Sequence, residues 1–265
     1  MLEAAPALQK VLIGPSDEDN MLDGVAFQPV IAALHGGIGL RNLKEIRLIS
    51  CMLGDEHFDD FLKALGDSGI AERMMLLSFY RCEIGAEGAW SLAKLLRRDG
   101  LPGLQKLYLD ENAIRDEGVV ALAGGLREAP RTMLREFCLN DIGMGDVGMA
   151  ALASLIYKGR LGQLEPLYIN EIPDVKDEGI TALARAISMR GLPKVSEFML
   201  GPLHEENVTA FGFGALTFAF INNCPQLLVE NITIDWSGQP EHADFRNAMV
   251  DGMLRAAGRA AKMWM

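Results

Sequence analysis

Leu104-Gln105-Lys106-Leu107-Tyr108-Leu109-Asp110-Glu111-Asn112-Ala113-Ile114, running on into Gly118, Leu122-Ala123 and Leu126, decides the fold, because its spacing of apolar residues recurs before and after it. The last apolar residue of its Leu-x-x-Leu-x-Leu run has counterparts at Leu48, Phe79, Leu109, Leu139, Ile169 and Leu200, in steps of 30 or 31 residues. Chance clustering does not hold such a period over six copies. Two places earlier in each copy stand Ile46, Leu77, Leu107, Phe137, Leu167 and Phe198, and this alternation predicts a short strand with one buried face. A turn, a glycine and a Leu-Ala step with a further apolar residue four places on then follow: Gly88, Leu92-Ala93 and Leu96; Gly118, Leu122-Ala123 and Leu126; Gly148, Leu152-Ala153 and Ile156; Gly179, Leu183-Ala184 and Ile187. That spacing lines one face of a helix. Each copy therefore reads as strand, turn, helix.

Acidic residues gather at the helix starts (Glu87, Asp116, Glu117, Asp146, Asp177, Glu178) and basic ones at the ends (Arg97, Arg98, Arg127, Lys158, Arg160, Arg190), as helix dipoles favour. Residues 1–42 read as an N-terminal cap region with an incomplete first repeat, containing an apolar element at Leu8 to Ile13 and a helix face at Val25 to Leu34. Six repeats fill 43–225. The sixth departs from the pattern with a lengthened turn through Gly201-Pro202. Residues 226–265 supply a last strand, Val229 to Ile234, and a closing helix, Ala243 to Met263, as the exposed end of a repeat stack requires.

The chain has 265 residues, 49% hydrophobic and 23% charged, and a net charge of -11. A large core is affordable and disorder is excluded. The negative balance argues against nucleic acid or an anionic membrane and favours a partner protein with a basic surface. Cys51, Cys82, Cys138 and Cys224 are widely spaced without CxxC pairing, which suits buried thiols in a reducing, cytoplasmic compartment. Neither a leader pattern nor an apolar run of membrane-spanning length is present in the sequence.

The run at 104–114 resembles leucine-rich repeats, and the long copy with Gly118 and Leu122-Ala123 in a full helix is similar to the ribonuclease-inhibitor type in particular. The resemblance covers about residues 43–235. It implies an α/β solenoid, a horseshoe with a parallel sheet on its concave side and helices outside. The family's buried asparagine or cysteine, which bonds turn backbone, is Cys51, Cys82 and Asn112 here but Ile142, Ile172 and Leu203 in the later copies. Less regular turns are expected in that half.

Serine-hydrolase, phosphate-loop and zinc-helix signatures do not occur in the sequence, and no cofactor or metal is implied. The expectation is a non-enzymatic scaffold for protein binding, as one subunit of a larger hetero-complex. The alternative, a small-GTPase activator, comes from the resemblance to the Ran-activator branch, whose long acidic tail has no counterpart here. Strand positions facing away from the helices are Arg47, Ser78, Tyr108, Cys138, Tyr168 and Met199. With the residues just after the strands they define a candidate stripe of Tyr80, Arg81, Tyr108, Asp110, Glu111, Asp141, Tyr168, Asn170 and Glu171. Tyrosines among acids suit a basic partner; equally, they are what an ordinary solvated sheet displays. The pair Asp110-Glu111 reads as solvated.

Overall fold

The computed structural model describes residues 8–15, 21–23, 28–36, 40–189, 191–203, 206–223 and 232–236. Its elements are β1 (Lys10–Ile13), β2 (Leu22–Asp23), α1 (Gln28–Gly36), β3 (Glu45–Ile49), β4 (Cys51–Met52), α2 (Gly54–Asp67), β5 (Leu76–Tyr80), α3 (Ala86–Arg97), β6 (Lys106–Tyr108), α4 (Arg115–Glu128), β7 (Glu136–Cys138), α5 (Asp146–Tyr157), β8 (Pro166–Asn170), α6 (Asp177–Ser188), β9 (Glu197–Leu203), α7 (Ala210–Asn223) and β10 (Ile232–Trp236). One eight-stranded sheet runs β1-β3-β5-β6-β7-β8-β9-β10, while β2 and β4 pair separately. Every pairing is parallel. Parallel neighbours need a crossover, and the helix of each repeat supplies it. Packed helices stand roughly 8–10 Å apart and paired strands only about 4.8 Å, so the stack bends with its sheet inside. The result is the expected α/β leucine-rich-repeat solenoid.

The paired apolar rows are the spine of the core. Ile46, Leu48, Leu77, Phe79, Leu107, Leu109, Phe137, Leu139, Leu167, Ile169, Phe198 and Leu200 are each at most 2% exposed. Between α2 and β5, Phe79 meets Phe58 and Phe61 edge-on, with centroids 4.7 and 5.6 Å apart. The N-terminal region contributes a strand of its own, since Val11 and Ile13 register on Ile46 and Leu48. In α1, Pro29 sits in the first turn, where its missing N–H is not needed. Val25, Cys224, the strand start at 229–231, the helix expected at Ala243 to Met263 and Trp264 lie outside the described residues.

Carboxylates join the repeats at the helix starts. Asp55 Oδ1 accepts the N–H groups of Gly85 at 2.7 Å and Gly88 at 2.9 Å. Asp116 Oδ1 does the same for Gly145 and Gly148 at 2.7 and 2.8 Å, and Asp146 Oδ1 for Lys176 and Gly179 at 2.8 and 2.9 Å. Asp177 accepts the N–H of Thr209 at 2.9 Å. Each side chain therefore stands in the first turn of one helix and caps the beginning of the next. The dipole accounted for acids at these places, but not for their second helix. The repeated glycine also follows, because a Cβ at Gly88 or Gly148 would lie 2.6 Å from the capping oxygen. The α3–α4 step lacks the device: α3 carries Ala86 at the capping place, so α4 receives no such carboxylate. Its Arg115 takes φ 57° and donates to the Ile142 carbonyl at 2.7 Å. At the other end, the Arg160 guanidinium closes α4 by donating to the Leu126 carbonyl at 3.1 Å, to the Ala129 carbonyl and to Thr132 Oγ1 at 3.1 Å.

Asn112 bonds the inner turns. Its Oδ1 accepts the N–H groups of Cys82 and Ile84, both at 3.0 Å, and its Nδ2 donates to the carbonyls of Phe79 at 2.6 Å, Leu109 at 2.9 Å and Asp110 at 3.0 Å. The later turns, built on Ile142 and Ile172, were expected to be less regular, yet the residue after the strand keeps one conformation throughout: φ is 51° at Ser50, 53° at Arg81, 53° at Glu111, 49° at Asp141 and 52° at Glu171. Regularity ends at β9, which runs on through a cis Gly201-Pro202 bond to Leu203.

Replacing Asn112 by Ala strands these buried groups and should lower the unfolding free energy by about 3 kcal/mol. Asp116→Ala, which uncaps α5, should cost about 1–2 kcal/mol, and Glu117→Ala close to nothing. Urea unfolding followed by far-UV circular dichroism orders the three; equal losses would contradict the assignment.

Candidate functional site

Strand register brings Leu12, Arg47, Ser78, Tyr108, Cys138, Tyr168 and Met199 into one row on the inner face. Two places earlier on the same strands, Lys10, Glu45, Leu76, Lys106 and Glu136 form a second row, with Pro166 and Glu197 further along it. Tyr108 and Tyr168 are half-buried and flank the buried Cys138, whereas Tyr80 is exposed at the strand end.

Each of these tyrosines is tied to a glutamate in the next repeat. The Tyr80 hydroxyl donates to Glu111 Oε1 and that of Tyr108 to Glu136 Oε2, and Tyr168 is hydrogen-bonded to Glu197. The bond to Glu111 pushes the Tyr80 phenol up to about 12. Burial, then the bonds to Glu136 and Glu197, holds Tyr108 and Tyr168 above the usual phenol range. Burial works against the Glu136 carboxylate, but the hydrogen bonds from Lys106 and Tyr108 keep it below its usual range. The sequence reading left out Glu136, Glu197 and Lys106. They stand two residues before the row it did pick out, so the same alternation places them on this face.

Asp110 is half-buried and hydrogen-bonded rather than freely solvated. Its Oδ1 accepts the Asn140 N–H at 3.1 Å and the Asn140 side-chain amide at 2.5 Å, and Asn140 Oδ1 in turn accepts the Asn170 N–H at 2.7 Å. Burial raises the Asp110 carboxyl despite these bonds. This polar chain runs from the repeat that holds Asn112 into those with Ile142 and Ile172 at the interior position, and it bonds the N–H groups of Asn140 and Asn170 just past the strands.

Arg81, Glu111, Asp141 and Glu171 are exposed along the rim. Their N–H groups donate across the repeats to the carbonyls of Asp110 at 3.0 Å, Asn140 at 2.9 Å, Asn170 at 3.0 Å and Gly201 at 2.5 Å. The rim side chains thus project from a fixed backbone. Among the described residues, no group of His, Cys, Asp and Glu side chains is arranged to hold a metal ion, and no helix is long and apolar enough to cross a membrane. Cys51, Cys82 and Cys138 are buried and unbridged.

A family model described as Leucine Rich repeat matches residues 102–123. The chain is 35% identical over 101 residues to ribonuclease inhibitor of Sus scrofa, a match that takes in 38% of this chain and 21% of that protein. It thus spans about a fifth of the length of the curated relative. Among solved structures it is similar to leiomodin-1 actin-binding site 2, with 13% identity and a TM-score of 0.40, over 74% of this chain and 88% of the other.

The Tyr80 shift has a definite sign. A phenol whose folded value, about 12, exceeds the unfolded value of about 10 stabilises the fold below that lower pH and loses its contribution as pH rises through the folded value. Stability should therefore fall between roughly pH 10 and 12, and Tyr80→Phe should make the fall shallower. Urea midpoints for both proteins across that range measure it, and parallel curves would refute it.

Proposed function

We propose that this leucine-rich repeat protein, with repeats of the ribonuclease-inhibitor type, is a non-enzymatic scaffold that binds the basic surface of a partner protein along the inner face of its sheet, as one subunit of a hetero-complex. The contact residues are Tyr80, Arg81, Tyr108, Glu111, Asp141, Tyr168, Asn170 and Glu171. Asp110 is left out of this set because its carboxylate is committed to Asn140.

The observation that carries the reading is the rim conformation. A non-glycine residue at positive φ costs about 1–2 kcal/mol, which glycine avoids. Arg81, Glu111, Asp141 and Glu171 all take that conformation, so the chain retains charged side chains where glycine would serve the turn more cheaply. Fixed acids beside half-buried tyrosines present area and charge without much ordering on association. The matched relative is by its name an inhibitor of ribonucleases, which is binding of one protein by another. The unbridged thiols suit a reducing compartment. No observation among the described residues favours the GTPase-activator reading.

Capture from the native source with the wild-type chain identifies the partner, and a combined Glu111→Lys, Asp141→Lys and Glu171→Lys variant tests the face. With the fold intact by circular dichroism, the variant should bind that partner at least about tenfold more weakly, a change of about 1.4 kcal/mol. The wild-type affinity should itself fall as salt rises. Undiminished binding by a folded variant overturns the proposal.

A further inference from the structure

The helix side carries a feature that the inner face does not explain. A groove of about 510 Å³ opens between α2 and α3 and reaches the start of α4; Asp55, Glu56, Asp59, Glu87 and Glu117 line it around Trp90. Trp90 is 53% exposed. At the corresponding place on the next three helices stand Val120, Ala150 and Thr181, so the ring is not a requirement of the repeat.

Five carboxylates in the groove face a single ammonium, that of Lys94. Asp55 is committed to capping α3, and Asp59 is paired with Lys63 at 2.6 Å. Glu56, Glu87 and Glu117 are exposed and take part in none of the ion pairs among the described residues. Lys94 Nζ lies 4.4 Å from the centroid of the Trp90 ring, within range of a cation–π contact. The ring already holds a cation, one supplied from the next turn of its own helix. The missing capping carboxylate is also here: Ala86, where the neighbouring repeats have Asp, forms part of this wall and leaves it apolar at the cost of a cap on α4.

We propose that this groove is a second docking surface, for an arginine-bearing segment of a partner protein. The guanidinium stacks on Trp90 in place of the Lys94 ammonium, the aliphatic stem lies against Ala86, and the forked donors reach Glu87 and Glu117. Arginine fits better than lysine because its plane stacks on the indole while its edge bonds carboxylates. The volume is of the size that admits a few side chains rather than a flat contact. The proposal is independent of the inner-face reading, since the groove lies among the helices.

Isothermal titration with a short capped peptide of alternating arginine and alanine tests it on the full chain. Saturable binding is expected, weaker for the lysine–alanine peptide. Trp90→Ala, a change at an exposed position, should weaken binding about five- to tenfold. Lys94→Ala should strengthen it by removing the internal competitor, while Lys44→Ala, the same charge change outside the groove, should not. The combined Glu111→Lys, Asp141→Lys and Glu171→Lys variant should bind the peptide as the wild type does. Equal affinities of Trp90→Ala and wild type, or of Lys94→Ala and Lys44→Ala, overturn the proposal.

Discussion

The turn after each strand drives the backbone into the interior, and its N–H and carbonyl groups must be bonded there. Asn112 meets this need at the centre of the solenoid with hydrogen bonds to two N–H groups and three carbonyls. The thiol of Cys82 does a lesser share, donating to the Leu48 and Tyr80 carbonyls at 3.4 Å each. Beyond Asn112 the interior position turns apolar, while a separate polar chain bonds backbone N–H groups just past the strands. Asp110, Asn140 and Asn170 form that second chain. The inner face near Asp110 is thus partly structural, its half-buried acid being committed to the Asn140 N–H and side-chain amide.

Capping across repeats has a similar consequence for cooperativity. Asp116 belongs to α4 but stabilises the start of α5, and Arg160 follows α5 but closes the end of α4. A repeat therefore completes its neighbour rather than itself, and the strength of the stack lies in its interfaces, as expected of quasi-one-dimensional folds. Ala86 interrupts the series at one interface. A groove and an outward tryptophan coincide with that interruption.

Much of this was legible in the sequence because apolar spacing reports burial directly. The rows ending at Leu48 through Leu200 and the helix faces around Leu92, Leu122, Leu152 and Leu183 required only periods of two and about four. The polar residues were harder. Asp116 looked like a dipole residue because its acceptor role concerns Gly145 and Gly148, about thirty positions away, and only overlaying repeats at their own period brings those together. Asp110 looked solvated for the same reason: Asn140 sits beside it in space. Glu136 and Glu197 follow from simple alternation, since each stands two residues before an inner-face position, Cys138 and Met199.

The two surfaces differ in how their charges are held. On the inner face, Glu111, Glu136 and Glu197 already accept from tyrosines, so their geometry is set before any partner arrives, and association there pays little to order side chains. In the helix-side groove, Glu56, Glu87 and Glu117 are exposed and outside the ion pairs of the described residues. Free carboxylates act at a distance, concentrating cationic segments and speeding encounter, while the Trp90 ring supplies the short-range contact they lack. A pre-bonded face favours one shape, and an open acidic groove with an aromatic wall favours one chemistry. As proposed, the inner curve would hold a folded partner and the outer groove would take flexible arginine-bearing segments.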